Sequence, residues 1–161
     1  MNGAGASLGV PFPPILAQNL EGKTLTIPKD LPGTSNLVVL AFSREHLGPT
    51  ETWSPHLSRL EQDFPELEVW QVAALSKAYR IFRSAIDGGM RAGVADPRLR
   101  AHVLTAYLDL SSLQKALALP DLKDIHLHLL DGLGTVRWHA RGAWAADKLA
   151  GLMEALESKP S

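Results

Sequence analysis

The sequence predicts an α/β architecture: three layers, with helices on both faces of a mixed central sheet of five strands and a hairpin ahead of it. Three observations carry that expectation. Leu37 to Phe42 is apolar without alternation, as a strand covered on both faces must be. Strand-like and helix-like stretches then alternate, which in a short chain implies parallel crossovers. Near the C-terminus two strand-like runs are joined through Asp131, Gly132, Leu133 and Gly134, a strong hairpin signal.

In chain order, residues 1–14 hold glycines, prolines and few large side chains and are expected to form a flexible arm, leaving 15–161 as one domain. Ile15 to Ile27 suits a hairpin laid beside the main sheet, with its turn at Glu21 and Gly22. After the central strand, the polar run Ser43 to Thr52 reads as a loop. Pro55 then suits the first turn of a helix reaching about Asp63, because the N–H that proline lacks would be orphaned there anyway. Its apolar stripe is Leu57, Leu60 and Phe64. Leu67 to Leu75 is a second buried strand. A helix over Ala78 to Asp87 would turn Ile81, Phe82, Ala85 and Ile86 inward and end at Gly88 and Gly89, since glycine adopts left-handed conformations freely. His102 to Leu108 is strand-like. Ser111 and Gln114 have capping-box spacing for a short helix ending near Leu119. The final helix, Ala145 to Glu157, carries Leu149, Leu152, Met153 and Leu156 on one side.

Two crossovers extend a sheet one way from its central strand, and a hairpin must occupy the other side. The expected order is therefore His102 to Leu108, Leu67 to Leu75, Leu37 to Phe42, Ile125 to Leu130, Thr135 to Arg141, with the first three parallel.

Composition removes several functions. A formal net charge of -1 offers no global attraction to nucleic acid. Residues 1–20 hold no basic side chain and no long apolar run, so neither a secretory nor an Arg-rich transit signal is visible, and a cytoplasmic setting without a membrane span is expected. Cysteine is absent, which excludes thiol-dependent oxidoreductase and peroxidase chemistry as well as thiolate metal sites.

The succession of elements resembles the thioredoxin-like fold in its peroxiredoxin and thiol-disulfide oxidoreductase form, over Ile15 to Glu157. In that family a Trp often precedes a C-x-x-C pair at the first turn of the helix after the central strand. Trp53, Ser54, Pro55, His56 and Leu57 look similar, with Ser54 and Leu57 at the cysteine positions. The chain departs from the pattern in its longer loop at Ser43 to Thr52 and in having no proline just before Ile125, where the family's cis-proline would stand. Within the superfamily, Leu37 to Arg44 with Trp53, the strand end Leu129, Leu130 and Asp131, and the run Val136, Arg137, Trp138 followed by Gly142 and Ala143 resemble the mitochondrial F-type ATP synthase assembly factor family. That resemblance implies a chaperone-like assembly role toward a membrane complex, a protein partner and no cofactor.

The candidate binding site is Arg44, Glu45, His46, Trp53, Ser54 and His56, chemically able to hold an anion or a peptide at a helix N-terminus. The plainer alternative is a solvated loop whose Trp53 packs. No catalytic residue is assigned. A thiol-free enzyme or small-ligand-binding protein would have to use Arg44, His46 and His56. By two-residue parity the C-terminal hairpin puts His126, His128, Leu130, Thr135, Arg137 and His139 on one face, with His126 opposite His139 if Leu130 pairs with Thr135. Three imidazoles could ligate zinc or copper, but Arg137 beside them argues against a cation, and no metal site is assigned. Lys77, Arg80, Arg83, Arg91, Arg98 and Arg100 make the middle of the chain basic. An acidic partner or phosphate could meet them; a solvated helix face explains the first three more simply.

Overall fold

The computed structural model describes residues 8–158. Seven strands make one sheet: Ile15–Asn19 (β1), Thr24–Ile27 (β2), Ser35–Ala41 (β3), Leu67–Ser76 (β4), Val103–Leu108 (β5), His126–Asp131 (β6) and Val136–Arg141 (β7), in the order β2-β1-β5-β4-β3-β6-β7. β3, β4 and β5 are parallel, and β6 runs antiparallel to β3. The five strands from β3 onward thus take the expected order. The sheet gains two more because the N-terminal hairpin joins it: β1 pairs antiparallel with β5, Gln18 opposite Thr105 and Asn19 opposite Leu104. Val103 to Tyr107 are all buried, and an edge of that character needs covering.

The strictly apolar β3 supplies both sides of the sheet. Val38 and Leu40 pack with Val72, Leu104, Leu113 and Leu117 on one face; Leu37 and Val39 pack with Trp53, Leu57, Leu60, Leu127, Trp138 and Leu152 on the other. Helices Leu47–Asp63 (α1) and Ala146–Glu157 (α5) cover the second face, while Leu110–Ala116 (α4) contributes to the first. Between β4 and β5 lie Arg83–Ala92 (α2) and Pro97–Ala101 (α3).

Several local expectations are corrected. α1 begins at Leu47, eight residues before Pro55, so the supposed loop is mostly helix. Its buried residues Thr50, Trp53, Leu57 and Leu60 are spaced three, four and three apart, a stripe that pulls the polar run into the helix. Pro55 is exposed inside it and, lacking an N–H, gives the Glu51 carbonyl on the solvent side no i→i−4 donor. Lys77–Phe82 is a 3-10 turn, and Ile81 and Phe82 point outward rather than into a core. Gly88 and Gly89 lie inside α2, which ends at Gly93. α4 is capped not by Ser111 but by Asp109, whose carboxylate accepts from the N–H groups of Ser111 and Ser112 at 3.0 and 3.3 Å. Gln114 instead donates to the Leu119 and Pro120 carbonyls beyond the helix. Met153 is exposed at the edge of the α5 stripe, where Leu152 and Leu156 are buried.

Of the N-terminal arm, residues 1–7 lie outside the described residues. Beyond them the chain is pinned: Gly9 N–H donates to Val136 O and Phe12 N–H to Gly134 O, each at 2.8 Å, and Phe12 is 2 % exposed. The buried Phe12 ring and these backbone bonds to β7 and the turn before it anchor that stretch together.

Candidate functional site

The chain leaves β3 through Phe42, makes a 3-10 turn over Arg44–His46 and enters α1. His46 is buried and builds this corner. Its Nδ1 accepts the Phe42 N–H at 2.9 Å, its carbonyl accepts the Thr50 hydroxyl at 2.8 Å, and its ring meets Phe42 edge-on. Accepting through Nδ1 places the neutral ring's proton on Nε2. Arg44 and Glu45 are exposed beside it. The Glu45 carboxyl is held below its ordinary range by its own backbone N–H and the Ser43 hydroxyl.

Trp53 and its neighbours lie further along. Ser54 and Leu57 are the eighth and eleventh of the seventeen residues of α1, away from its N-terminus and from the partial positive charge there. Trp53 is fully buried; its indole Nε1 donates to Gly142 O at 2.9 Å and its ring meets Trp138 edge-on at 6.4 Å. Gly142 turns the chain after β7 at φ +84°, and a Cβ there would stand 3.0 Å from an Asp124 carboxylate oxygen, so glycine serves both demands. The same turn is tied to α1 twice more. Trp144 N–H donates to Thr52 Oγ1 at 2.9 Å, and the Trp144 ring stacks on His56 at 4.3 Å, 2° from parallel. Lys148 closes it by donating to the Arg141 and Ala143 carbonyls at 2.5 and 2.8 Å.

Of the six candidate residues, the structure therefore brings Arg44, Glu45 and His46 together at the corner, and binds Trp53 and His56 into the turn after β7; Ser54 is exposed between. Ten residues of helix separate His46 from His56, about 15 Å along the axis, so Arg44, His46 and His56 do not converge on one reacting atom. The latch at Thr52, Gly142, Trp144 and Lys148 could not be read from spacing, because its partners are about ninety residues apart. The residue ahead of Ile125 is Asp124, whose carboxylate accepts the Ile125 N–H at 2.8 Å.

The hairpin histidines form a second cluster. The predicted pairing is shifted by a bulge at Arg137: Leu130 opposes Val136 while Leu129 opposes Trp138, which sets His128 opposite His139 and His126 opposite Arg141. Val136, not Thr135 or Arg137, shares the histidine face. All three rings are buried. His126 Nε2 donates to Asp121 O at 3.2 Å and its Nδ1 lies 3.0 Å from His139 Nε2, an arrangement satisfied when His139 donates. Asp121 itself pairs with Arg141 at 2.9 Å. His139 Nδ1 and both nitrogens of His128 have no partner, and Phe12 meets His128 edge-on. Burial lowers all three imidazole pKa values, His128 well below its ordinary range and His139 to about 4. With His139 donating, the His126 Nδ1 lone pair is taken up by the His139 N–H and is not free for a metal. Among the described residues no group of three or more His, Asp or Glu is arranged to hold a metal ion.

No family model and no curated protein matches this sequence. Solved structures do match its architecture. Yeast Sco1 aligns at TM-score 0.63 with 15% identity, over 98% of this chain and 99% of that one. Its copper-bound form aligns at 0.59 with 15% identity, over 96% and 95%. The thioredoxin domain of a thiol-disulfide oxidoreductase from Bacteroides vulgatus aligns at 0.55 with 17% identity, over 91% and 95%. BsSco, described as a member of the Sco family of cytochrome c oxidase assembly proteins, aligns at 0.54 with 16% identity, over 95% and 97%. The chain has a thioredoxin-like α/β fold, without cysteine at any position.

Proposed function

We propose that this chain is a non-redox, thioredoxin-fold binding or assembly protein with a chaperone-like role toward a protein partner, in a cytoplasmic setting. A membrane complex such as ATP synthase is the client class that the sequence resemblance names. One observation carries the reading: the first turn of the helix after the central strand, where the fold's thiol pair would stand, is the corner of Arg44 to Leu47 and holds no cysteine, while Ser54 and Leu57 lie in mid-helix beside the fully buried Trp53. What the chain still offers there is a corner of exposed Arg44, Glu45 and Leu47, suited to contact rather than to turnover. That BsSco is described as an assembly protein supports such a use of the scaffold.

Mild cross-linking in cells of the source organism followed by co-purification tests the role. A stoichiometric protein partner is expected, with its recovery lost in a charge-reversed Arg44→Glu, Glu45→Arg variant. A protein that stays monomeric and recovers nothing overturns it.

A further inference from the structure

From Lys77 to His102 no residue is buried, and no other described stretch of that length lacks a core residue. The stretch opens with the 3-10 turn Lys77–Phe82. At three residues per turn, a 3-10 segment lying on a protein would bury one side; here every residue from Lys77 to Phe82 is exposed, so the turn projects. Its tip is apolar: Ile81 is 83% exposed, and Tyr79 and Phe82 flank it, each more than half exposed. Its collar is basic.

From Lys77 to Arg83 there are three Lys or Arg, at positions 77, 80 and 83, and no Asp or Glu, in a chain of sixteen basic and seventeen acidic residues. The acids nearest the turn are engaged within the protein. Asp87 accepts from the Tyr107 hydroxyl at 2.9 Å and faces Arg83 at 3.8 Å. Asp109, which feels the charge of Lys77, is occupied in capping α4. Lys77 has no ion-pair partner among the described residues. Arg98 and Arg100 lie at the other end of β5, where His102 stacks on Trp70, and take no part in this surface.

We infer that this projecting turn, with its basic surroundings, docks the protein on an anionic lipid surface. A folded partner would have to provide a cavity shaped for the tip. The headgroup zone of a bilayer accepts any apolar protrusion, while lysine and arginine keep their charges at the phosphates. The sign of the surface matches, and the tip supplies the apolar contact that charge alone lacks. The inference concerns a different surface from the corner after β3 and does not depend on the client reading.

Vesicle flotation of the full chain, with no client present, tests it. Binding is expected to phosphatidylcholine vesicles containing phosphatidylglycerol, to weaken with added salt, and to be absent with phosphatidylcholine alone. Ile81→Ser with Phe82→Ser should abolish it, and Lys77→Glu with Arg80→Glu should weaken it at least about tenfold. The absence of native cysteine permits a second, site-resolved measurement. An environment-sensitive dye on Ile81→Cys should shift to the blue on mixing with anionic vesicles. The same dye on Leu133→Cys, 91% exposed in the hairpin turn at the opposite end of β3, should not. Failure to bind anionic vesicles, equal shifts at both positions, or an Ile81 dye already shifted without lipid in a concentration-dependent dimer overturns the inference.

Discussion

Two stretches of the molecule stand in sharp contrast: the helix α1 with the turn after β7, and the run from Lys77 to His102. In the first, Trp53, Leu57 and Leu60 are core, and hydrogen bonds between Trp53 and Gly142 and between Trp144 and Thr52 lock helix to turn. In the second nothing is buried, and the largest apolar side chains face solvent. Both follow a parallel strand of the same sheet. The difference teaches that α1 is core because its stripe meets β7 and the turn after it, whereas the run after β4 presents its apolar side chains to solvent.

The contrast can be broken most forcefully at Trp53. Trp53→Ala removes a fully buried indole and orphans the Gly142 carbonyl, and should cost about 4 kcal/mol in urea unfolding. A loss under about 1 kcal/mol would mean that the latch is not structural. Next comes the double variant Ser54→Cys, Leu57→Cys. Side chains three apart in mid-helix have Cβ atoms about 5–6 Å apart, beyond the roughly 3.5–4.5 Å a disulfide needs. The variant should remain a dithiol under mild oxidation, by thiol titration, and lose about 2 kcal/mol from the truncated Leu57. Ready formation of an intramolecular disulfide would show that this turn of the helix can open.

The buried histidines predict a smaller, pH-dependent effect. Their folded pKa values lie below the unfolded value near 6.5, so between these limits the unfolded chain binds protons that the folded chain does not. Stability is therefore full above about pH 6.5 and falls as pH drops toward about 4, where the folded chain takes up a proton at His139. His128→Leu should flatten the acid side of the profile, since it removes two unpartnered buried nitrogens. An unchanged slope in that variant would place the acid sensitivity elsewhere. The smallest effect is expected at Ile81: Ile81→Ser should move thermal unfolding by less than about 0.5 kcal/mol, because nothing packs on it. A large loss would show that the turn folds back on the protein.

Reading side chains in order was enough for the strand sequence from β3 onward, because an apolar run with no alternation admits only a doubly covered strand, and chain connectivity then restricts where its neighbours can go. The same reasoning found the resemblance at Trp53 but put a helix start at Pro55. Proline favours a first turn, yet the Thr50, Trp53, Leu57 and Leu60 stripe already ran through it, and burying that stripe outweighs the cost of about 3 kcal/mol of a proline inside a helix. At Ile81 and Phe82 helical spacing pointed inward, since periodicity names a stripe without saying what lies opposite. Of the candidate site, residue types alone could nominate members; whether they meet was set by partners far away in the chain.

By itself the amino-acid sequence determined the layered α/β architecture, the order of its five central strands and the absence of thiol chemistry, because each depends on local side-chain pattern or on composition. Tertiary structure decided the rest. The hairpin became part of the sheet because β5 needed its edge covered; His139 came to lie opposite His128 rather than His126 because one residue bulges out at Arg137; and Trp53 became core because Gly142 bends the chain after β7 to meet it. Those are contacts between segments remote in sequence, whose free energy exists only once the backbone brings them within reach.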